Sequence, residues 1–186
     1  MKGYYRYPSI HNNIIVFVSE DDLWKVNLND NIATRLTSNL SPIVSPNISP
    51  DGKYIAYVGS EEGNTEIYII PIEGGISKRL TYEGAFISKI ACWSNNDIIY
   101  SSDLNMPFGR ISELRTINIS SNESRSMSLG VSSNIAISSK FSVLGRNTQD
   151  PARWKRYKGG TAGELWVSKN KDYDFKELLK LNGNLA

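Results

Sequence analysis

Apolar and polar residues alternate on both sides of a Glu73-Gly74-Gly75 turn in residues 66–81, EIYIIPIEGGISKRLT. A glycine-containing turn between two such runs is typical of a β-hairpin. The same pattern recurs in residues 22–37 (DLWKVNLNDNIATRLT), 113–127 (ELRTINISSNESRSM) and 164–178 (ELWVSKNKDYDFKEL). Repetition every ~40–50 residues, with several short strands in each copy, is typical of β-propeller blades. We therefore predict an all-β fold built from repeated antiparallel sheets.

Apolar runs in front of each hairpin extend the copies to three or four strands. Ile14–Val18 is such a run, and Tyr54–Val58 is another that follows a Ser-Pro-Asp-Gly turn. We predict three strands in the first copy and four in each of the others. The predicted blades are residues 10–37, 43–81, 86–128 and 133–181. The predicted equivalent strand starts are Ile14, Tyr54, Asp97 and Lys140.

The first copy is predicted to lack the innermost strand of its blade. Residues 1–9 are interpreted as a leading segment because Pro8 interrupts regular structure. Four blades can close a ring. Closure here would need the missing strand to come from the C-terminal end, and no apolar run follows Leu181. We therefore predict about four blades in an open arc, the front part of a larger propeller, with apolar blade faces left unpaired.

Two long connections interrupt the repeats at one position, between the second and third strands of a blade. They are Leu104–Ile111 in the third copy and Gly145–Gly163 in the fourth. Equivalent connections of a propeller lie on one face of the molecule, and a lengthened one is a candidate functional loop.

Bulk composition narrows the function without identifying it. The net charge is +2, so no global field indicates nucleic acid or membrane as a partner. Cys92 is the only cysteine, which excludes an internal disulfide and fits a reducing compartment. The first residues contain no apolar signal core, and no run approaches ~18 apolar residues. The predicted location is the cytoplasm.

Few side chains are candidates for catalysis. A serine hydrolase needs a base within reach of its nucleophile and a third group to orient that base. His11 is the only histidine, and we predict a structural or solvated role for it. Gly59-Ser60 lies in a turn that no helix-forming sequence follows, unlike a nucleophile elbow. Cys92, beside Trp93 in an apolar strand, is predicted to be a buried structural thiol. We predict no catalytic residue.

Metal and cofactor sites are also not predicted. One histidine and one cysteine cannot build a zinc site. The acidic runs Glu20-Asp21-Asp22 and Asp172-Tyr173-Asp174 could hold a cation through oxygen ligands. They are interpreted as turn carboxylates, because aspartate favours turns. No glycine-rich loop leads into a helix, so a nucleotide fingerprint is absent.

The fourth-copy connection contains a basic and aromatic run, RWKRYK. Its residues are Arg153, Trp154, Lys155, Arg156, Tyr157 and Lys158. Such a run could bind nucleic acid through phosphate contacts and base stacking. It could attract peptide carboxylates at a pore mouth, or it could pack between blades or subunits, which is the default hypothesis. Trp24, Tyr68 and Trp166 share one repeat position and are predicted to be blade core.

Nearly the whole chain resembles the N-terminal part of the tricorn protease family, with WD40-like or TolB-like propeller repeats. The resemblance is carried by PSIHNNIIVFVSEDDLWKVNL, SPDGKYIAYV, DLNMPFGRISELR and GRNTQDPARWKRYKGGTAGELWV. The Ser-Pro-Asp-Gly-Lys turn is shared with many TolB and prolyl-oligopeptidase propellers. RWKRYKGGT in front of ELW is far more specific.

The resemblance implies a large cytoplasmic archaeal serine peptidase as the parent protein. Its family carries a six-bladed propeller, a seven-bladed one, and a PDZ-like domain between two catalytic domains. It assembles as hexamers and cuts oligopeptides released by the proteasome. The catalytic serine, histidine and oxyanion donors lie in C-terminal parts that have no counterpart here. This chain would correspond to the first four blades of the six-bladed propeller.

The leading hypothesis is therefore an N-terminal propeller fragment that walls a peptide channel and contacts the remaining blades and catalytic domains. The alternative is a free-standing propeller that binds a protein or peptide on its loop face. That alternative requires the chain to close on itself or on a second copy. A nucleic-acid partner is disfavoured by the near-neutral charge.

Overall fold

The computed structural model describes residues 4–109, 111–148, 158–169 and 173–178, and every regular element in this part is a β-strand. The strands form four four-stranded sheets, and consecutive strands in each sheet pair antiparallel. Each sheet is one blade, and together they form an open arc. The prediction of an all-β propeller with about four antiparallel blades in an open arc is confirmed. No helix in the described residues could span a membrane.

Blade 1 comprises β1 (Arg6–His11), β2 (Ile14–Ser19), β3 (Asp22–Asn27) and β4 (Ile32–Arg35). Blade 2 comprises β5 (Val44–Ile48), β6 (Tyr54–Gly59), β7 (Glu66–Pro71) and β8 (Lys78–Arg79). Blade 3 comprises β9 (Ile87–Ser94), β10 (Asp97–Ser102), β11 (Glu113–Asn118) and β12 (Ser124–Val131). Blade 4 comprises β13 (Asn134–Ile137), β14 (Phe141–Arg146), β15 (Glu164–Lys169) and β16 (Lys176–Glu177).

The first blade is complete, so the prediction that it lacks its innermost strand was wrong. β1 begins at Arg6, four residues before the predicted start of the blade. Its pairing with β2 is interrupted by a bulge between Arg6 and Ser9, where Tyr7 has a φ of +52°. Pro8 lies in this bulge on an edge strand, a position that tolerates the missing backbone N–H. The strand count therefore gives no argument for an incomplete ring.

The predicted strand start at Lys140 was wrong by one residue. β14 begins at Phe141, and its register with β15 places Leu144 opposite Trp166. Because side chains alternate between the two faces of a sheet, this shift exchanges the faces of the whole strand. The aligned partner of Tyr100 is therefore Leu144 and not Val143.

Three hydrophobic clusters hold the blades together, and each is shared by two neighbouring sheets. Val16 and Leu23 of blade 1 pack against Ile55 and Tyr57 of blade 2. Blade 2 packs against blade 3 through a second cluster. Ile99 and Leu114 of blade 3 pack against Ile135 and Leu144 of blade 4 in a third. Each of these clusters therefore joins two blades that are neighbours in sequence, as in other repeat proteins.

A buried polar clamp explains why Arg-Leu-Thr repeats in the sequence. The Glu66 carboxylate accepts hydrogen bonds from Arg79 Nη2 at 3.0 Å, from Gly84 N at 3.0 Å and from the Thr81 hydroxyl. Thr81 Oγ1 in turn accepts from Ile67 N at 2.8 Å. The equivalent residues of blade 1 are Asp22, Arg35 and Thr37. In blades 1 and 2 the clamp fastens the fourth strand to the start of the third.

Candidate functional site

The first strand of each blade lies on the inside of the arc. β1 packs against β5, β5 against β9, and β9 against β13. Ser9 Oγ accepts a hydrogen bond from Ile48 N at 3.1 Å, and Ser45 Oγ accepts one from Ile90 N at 3.1 Å. Serine hydroxyls of one inner strand therefore accept hydrogen bonds from backbone N–H groups of the next strand. Those N–H groups are then not available to bond a peptide. Adjacent inner strands are therefore joined by hydrogen bonds as well as by packing.

Blade 1 presents an apolar side that no other blade covers. Val16 and Val18 point toward blade 2, and the alternate positions of β2 and β3 point away from it. We call this side the open face of blade 1. It is formed by Ile15, Phe17, Trp24 and Val26, all half-buried.

Comparison along the repeat shows what the open face lacks. The equivalents in blade 2 are Ile55, Tyr57, Tyr68 and Ile70, with exposed fractions of 0%, 1%, 5% and 0%. Those residues are buried because blade 1 packs against them. Ile98, Tyr100 and Ile117 are buried in the same way against blade 2. The open face therefore has the composition of a blade interface without its second sheet.

Two further residues enlarge this apolar patch. The ring of Tyr5 meets the ring of Phe17 edge-on, with centroids 5.2 Å apart. Tyr5 is 67% exposed, and Ile10, which pairs with Ile15, is 63% exposed. A contiguous apolar patch of this kind indicates an interaction surface.

Most of the predicted basic run lies outside the described residues. This holds for Arg153, Trp154, Lys155, Arg156 and Tyr157, and only Lys158 is described, with an exposed side chain. Its three interpretations, nucleic-acid binding, peptide attraction and packing, therefore stay predictions.

His11 lies in a structural contact between blades. Its imidazole packs on Gly52 in the Ser49–Gly52 turn of blade 2. That turn is held by Ser49 Oγ, which donates to Asp51 Oδ1 at 2.7 Å. No hydrogen bond joins His11 to a serine, threonine or cysteine among the described residues.

Cys92 is half-buried and packs against the cluster shared by blades 3 and 4. Burial raises the pKa of its thiol to about 11. A thiol with such a high pKa is a poor nucleophile at neutral pH, because only the thiolate attacks. Gly59 ends β6 against the rings of Tyr57 and Tyr68, and Ser60 follows it in a turn.

The acidic runs make protein contacts instead of a metal cluster. Asp21 pairs with Arg6 at 2.6 Å, and Asp22 belongs to the clamp of blade 1. Asp174 lies 3.8 Å from Lys176, and Asp172 is outside the described residues. The described part of the chain contains no group of three metal-ligating side chains.

Sequence reasoning missed a buried charged cluster between blades 2 and 3. Glu83 accepts hydrogen bonds from Tyr100 Oη at 2.7 Å and from Arg115 Nε at 3.1 Å. Glu113 accepts another from Arg115 Nη1 at 2.7 Å. Burial alone would lower the pKa of Arg115, but these two carboxylates hold it above its usual value. Glu83 lies in a connection outside the repeat, so the repeat pattern could not reveal it.

The repeated aromatic position has two different environments. Tyr68 is buried and stacks on Tyr57 with centroids 5.5 Å apart. Trp166 packs against the cluster shared by blades 3 and 4, with the Arg146 guanidinium 4.9 Å from its ring. Both are blade core, as predicted. Trp24 instead lies on the open face.

Comparisons with known proteins agree with this architecture. The family model for the tricorn protease N-terminal β-propeller domain matches residues 2–186. A tricorn protease homologue from Saccharolobus solfataricus is 37% identical over 191 residues, covering 100% of this chain and 18% of the relative. A tricorn-like protease N-terminal subunit from Sulfurisphaera tokodaii is 39% identical over 176 residues, covering 92% and 89% of the two chains. This chain thus spans a small part of one relative and most of the other.

Solved structures show the same arrangement. The crystal structure of the tricorn protease matches 99% of this chain with a TM-score of 0.83 and 29% identity, over 19% of its own length. A TolB structure from Agrobacterium tumefaciens has a TM-score of 0.71 at 14% identity, covering 96% of this chain and 63% of its own, which shows the fold alone. The family match over nearly the full length and the identity to the Sulfurisphaera relative establish that this chain belongs to the tricorn protease N-terminal β-propeller family.

Proposed function

We propose that this chain is the N-terminal propeller part of a tricorn-type serine peptidase. It forms a channel wall and a scaffold, and it supplies no catalytic group. Oligopeptides pass along the inner strands, and the catalytic domains belong to the parent protein. The names of the relatives support this proposal, since they describe tricorn proteases and an N-terminal subunit.

The open face of blade 1 is the observation that supports a scaffold role most directly. Four residues whose equivalents are buried in blade 2 lack a covering sheet in blade 1. Burying such a surface contributes about 25 cal/mol per Å² of apolar area. We propose that a further blade of the parent protein packs on this face.

The proposed oligomeric state, location and substrate come from the resemblance to the tricorn protease family. The parent protein would be a homo-oligomer, a hexamer, located in the cytoplasm and acting on oligopeptides downstream of the proteasome. The ring would contain six blades, of which this chain supplies four. RWKRYK, residues 153–158, would pack between blades or guide peptides.

A reconstitution experiment tests the proposal. The full chain is mixed with the Saccharolobus relative from which the matched N-terminal segment has been removed, and the mixture is studied by sedimentation equilibrium and by cleavage of a fluorogenic oligopeptide. We expect a complex that contains equal numbers of the two chains, and cleavage that this chain alone does not show.

Charged substitutions on the open face provide the control. Trp24→Asp should weaken the complex at least tenfold, because a carboxylate buried in an apolar interface is unpaired. Ile76→Asp should have no effect on the complex. Ile76 is 92% exposed and lies in the connection between β7 and β8 of blade 2, outside the open face. A soluble monomer with little binding of an apolar dye and no association would contradict the proposal. A defined dimer of this chain would favour the free-standing binding module instead.

A further inference from the structure

The seam between blades 3 and 4 contains an unusual concentration of polar side chains. On the inner side, Lys89 of β9 donates to the side-chain oxygen of Asn134 in β13. Asn134 Nδ2 donates to Thr148 Oγ1 at 2.7 Å. Farther along, Ser101 Oγ donates to Ser112 Oγ at 2.8 Å, and Ser112 Oγ donates to Ser132 O at 3.3 Å. We call Lys89, Asn134 and Thr148 the seam triad.

Lys89 differs from the other cations that are held between strands. Arg79 pairs with Glu66 at 3.0 Å, and Arg115 pairs with Glu83 at 3.1 Å. Arg35 likewise pairs with Asp22. Lys89 contacts a neutral amide, and it takes part in none of the ion pairs formed among the described residues. A half-buried ammonium without a carboxylate is costly, so an anionic ligand would stabilise it.

Hydrogen-bond accounting shows that the seam triad has donors to spare. An ammonium has three donors, and Lys89 uses one of them on Asn134. Thr148 Oγ1 accepts from Asn134, so its own proton remains to be donated. The nearest alternative partner of that hydroxyl is Ser133 Oγ at 3.4 Å, at the edge of hydrogen-bond range. A site rich in donors with one positive charge is suited to an oxyanion.

The other charged side chains near the seam leave the seam triad with its positive charge. Burial lowers the pKa of Lys89 to about 8, and no negative charge among the described residues opposes that shift. Arg146 of blade 4 adds a second cation, since it donates to Leu129 O and its buried Nε has no partner in the described structure. Glu164, opposite Arg146 in the sheet, is exposed and accepts from Trp166 Nε1 at 2.9 Å.

The connections between neighbouring blades differ in length and in charge. Residues 80–86 join blades 2 and 3, and they contribute Glu83 to the charged cluster there. Blades 3 and 4 are joined by Ser132 and Ser133 alone, which carry no charge. The connection at this seam therefore supplies no carboxylate to Lys89.

We propose that the seam triad is a binding site for a small oxyanion of carboxylate or phosphate type, held by Lys89 and Thr148 and oriented by Asn134. The anion is either free in solution or the C-terminal carboxylate of a peptide. The inference goes beyond the proposed function, because it requires neither the parent peptidase nor the open face.

Nuclear magnetic resonance titration of the full chain tests the site. Acetate, phosphate, and one short peptide as a free acid or as a C-terminal amide are added at constant ionic strength with chloride as the reference. We expect the Asn134 side-chain amide signals to move with acetate, with phosphate or with both. A peptide source is supported if the free acid binds at least tenfold more tightly than the amide.

Two variants separate this site from general charge effects. Lys89→Gln should weaken oxyanion binding at least tenfold, whereas Lys140→Gln, an exposed lysine in the turn between β13 and β14, should leave it unchanged. Raising the pH from 7 to 9 should weaken binding about tenfold, because the ammonium is lost through a pKa of about 8. The Asn134 amide signals also report whether each variant is folded.

Three results would overturn the proposal. One is an Asn134 signal that responds to chloride as strongly as to acetate and phosphate. Another is equal oxyanion affinity in the unmodified chain and in folded Lys89→Gln. The third is binding that does not weaken between pH 7 and 9. Failure of the reconstitution experiment would leave these outcomes unaffected, so the two proposals fail separately.

Discussion

Gly52 shows how a single backbone position controls the contact between two blades. Its φ is +73°, in the left-handed region that glycine adopts without a steric penalty. A Cβ atom at this position would lie 2.7 Å from His11 Cδ2, closer than two such atoms can approach. The absence of a side chain therefore allows both the turn and its packing on blade 1.

Gly52→Ala should lower the free energy of unfolding by about 1–3 kcal/mol, through backbone strain and the collision with His11. In a His11→Ala background the loss should be smaller, because only the strain remains. Urea denaturation of the four chains of this cycle measures both terms. Gly75→Ala is the matched control, since Gly75 has a φ of +126° and open space around its Cβ position. Equal losses in both backgrounds would show that His11 does not contribute.

Cys92 gives a second prediction at this scale. Its pKa of about 11 leaves little thiolate at pH 8, so a disulfide reagent should react roughly a hundredfold more slowly with the folded chain than with the unfolded chain. The raised pKa favours folding fully below the unfolded pKa, and that contribution is lost as the pH rises through about 11. Thiol titration at pH 8 with and without urea checks the reactivity. Similar rates in both conditions would mean that the thiol is not protected.

At the scale of elements, the polar clamp determines how the fourth strand of a blade is attached. β8 contains only Lys78 and Arg79, too few residues for a stable ladder of its own. The buried carboxylate of Glu66 and the Thr81 hydroxyl supply the remaining hydrogen bonds. Blade 3 departs from this pattern, because Ser126 and Arg115 bind Glu113 there.

Thr81→Val should destabilise the chain by about 1–3 kcal/mol, because Ile67 N and the Glu66 carboxylate each lose a buried hydrogen-bond partner. Thr34→Val, on the exposed edge strand β4, keeps the same change of shape without buried partners. It should change stability by less than about 0.5 kcal/mol. Thermal and urea unfolding measure both. A loss as large for Thr34→Val would show that the clamp is not the cause.

The clamp also explains which elements could be predicted from sequence. Glu66, Arg79 and Thr81 recur in blade 1 as Asp22, Arg35 and Thr37, so the hairpins were visible as repeats. β1 was not, because a proline in a bulge resembles a proline that ends a strand. β14 was misplaced by one residue because no polar anchor fixes its start in the repeat.

The candidate surfaces were predictable to different degrees. Unpaired apolar faces were expected at the ends of the arc, and Phe17 could be matched to Tyr57 from the repeat alone. The seam triad could not be predicted, because Lys89, Asn134 and Thr148 come from three separate parts of the chain. Side chains that meet only through the packing of two blades leave no pattern in the sequence.

At the scale of the whole molecule, the arc is a stack of sheets joined by three apolar clusters. Blades 2 and 3 have a neighbouring blade on each side, whereas blades 1 and 4 have one each. Stability in such a stack depends on the interfaces between neighbours. The interior of the arc should therefore be more protected than its ends.

Native-state hydrogen exchange should show this gradient. Amides of β6 and β10, in the central blades, should exchange at least tenfold more slowly than those of β2 and β14, in the outer blades, because opening an end blade breaks one interface only. The equivalent second strands provide a matched comparison within one chain. Uniform protection across all four strands would show that the arc unfolds as a single unit.

The open face of blade 1 also has a consequence for association between copies of this chain. Because that face and the far side of blade 4 lie at opposite ends of one chain, contact between copies would be head to tail and would generate an open polymer unless the rotation closes it. Each copy whose open face stays uncovered is then a potential fibre subunit. A blade that covers this face would therefore prevent polymer growth as well as stabilise blade 1.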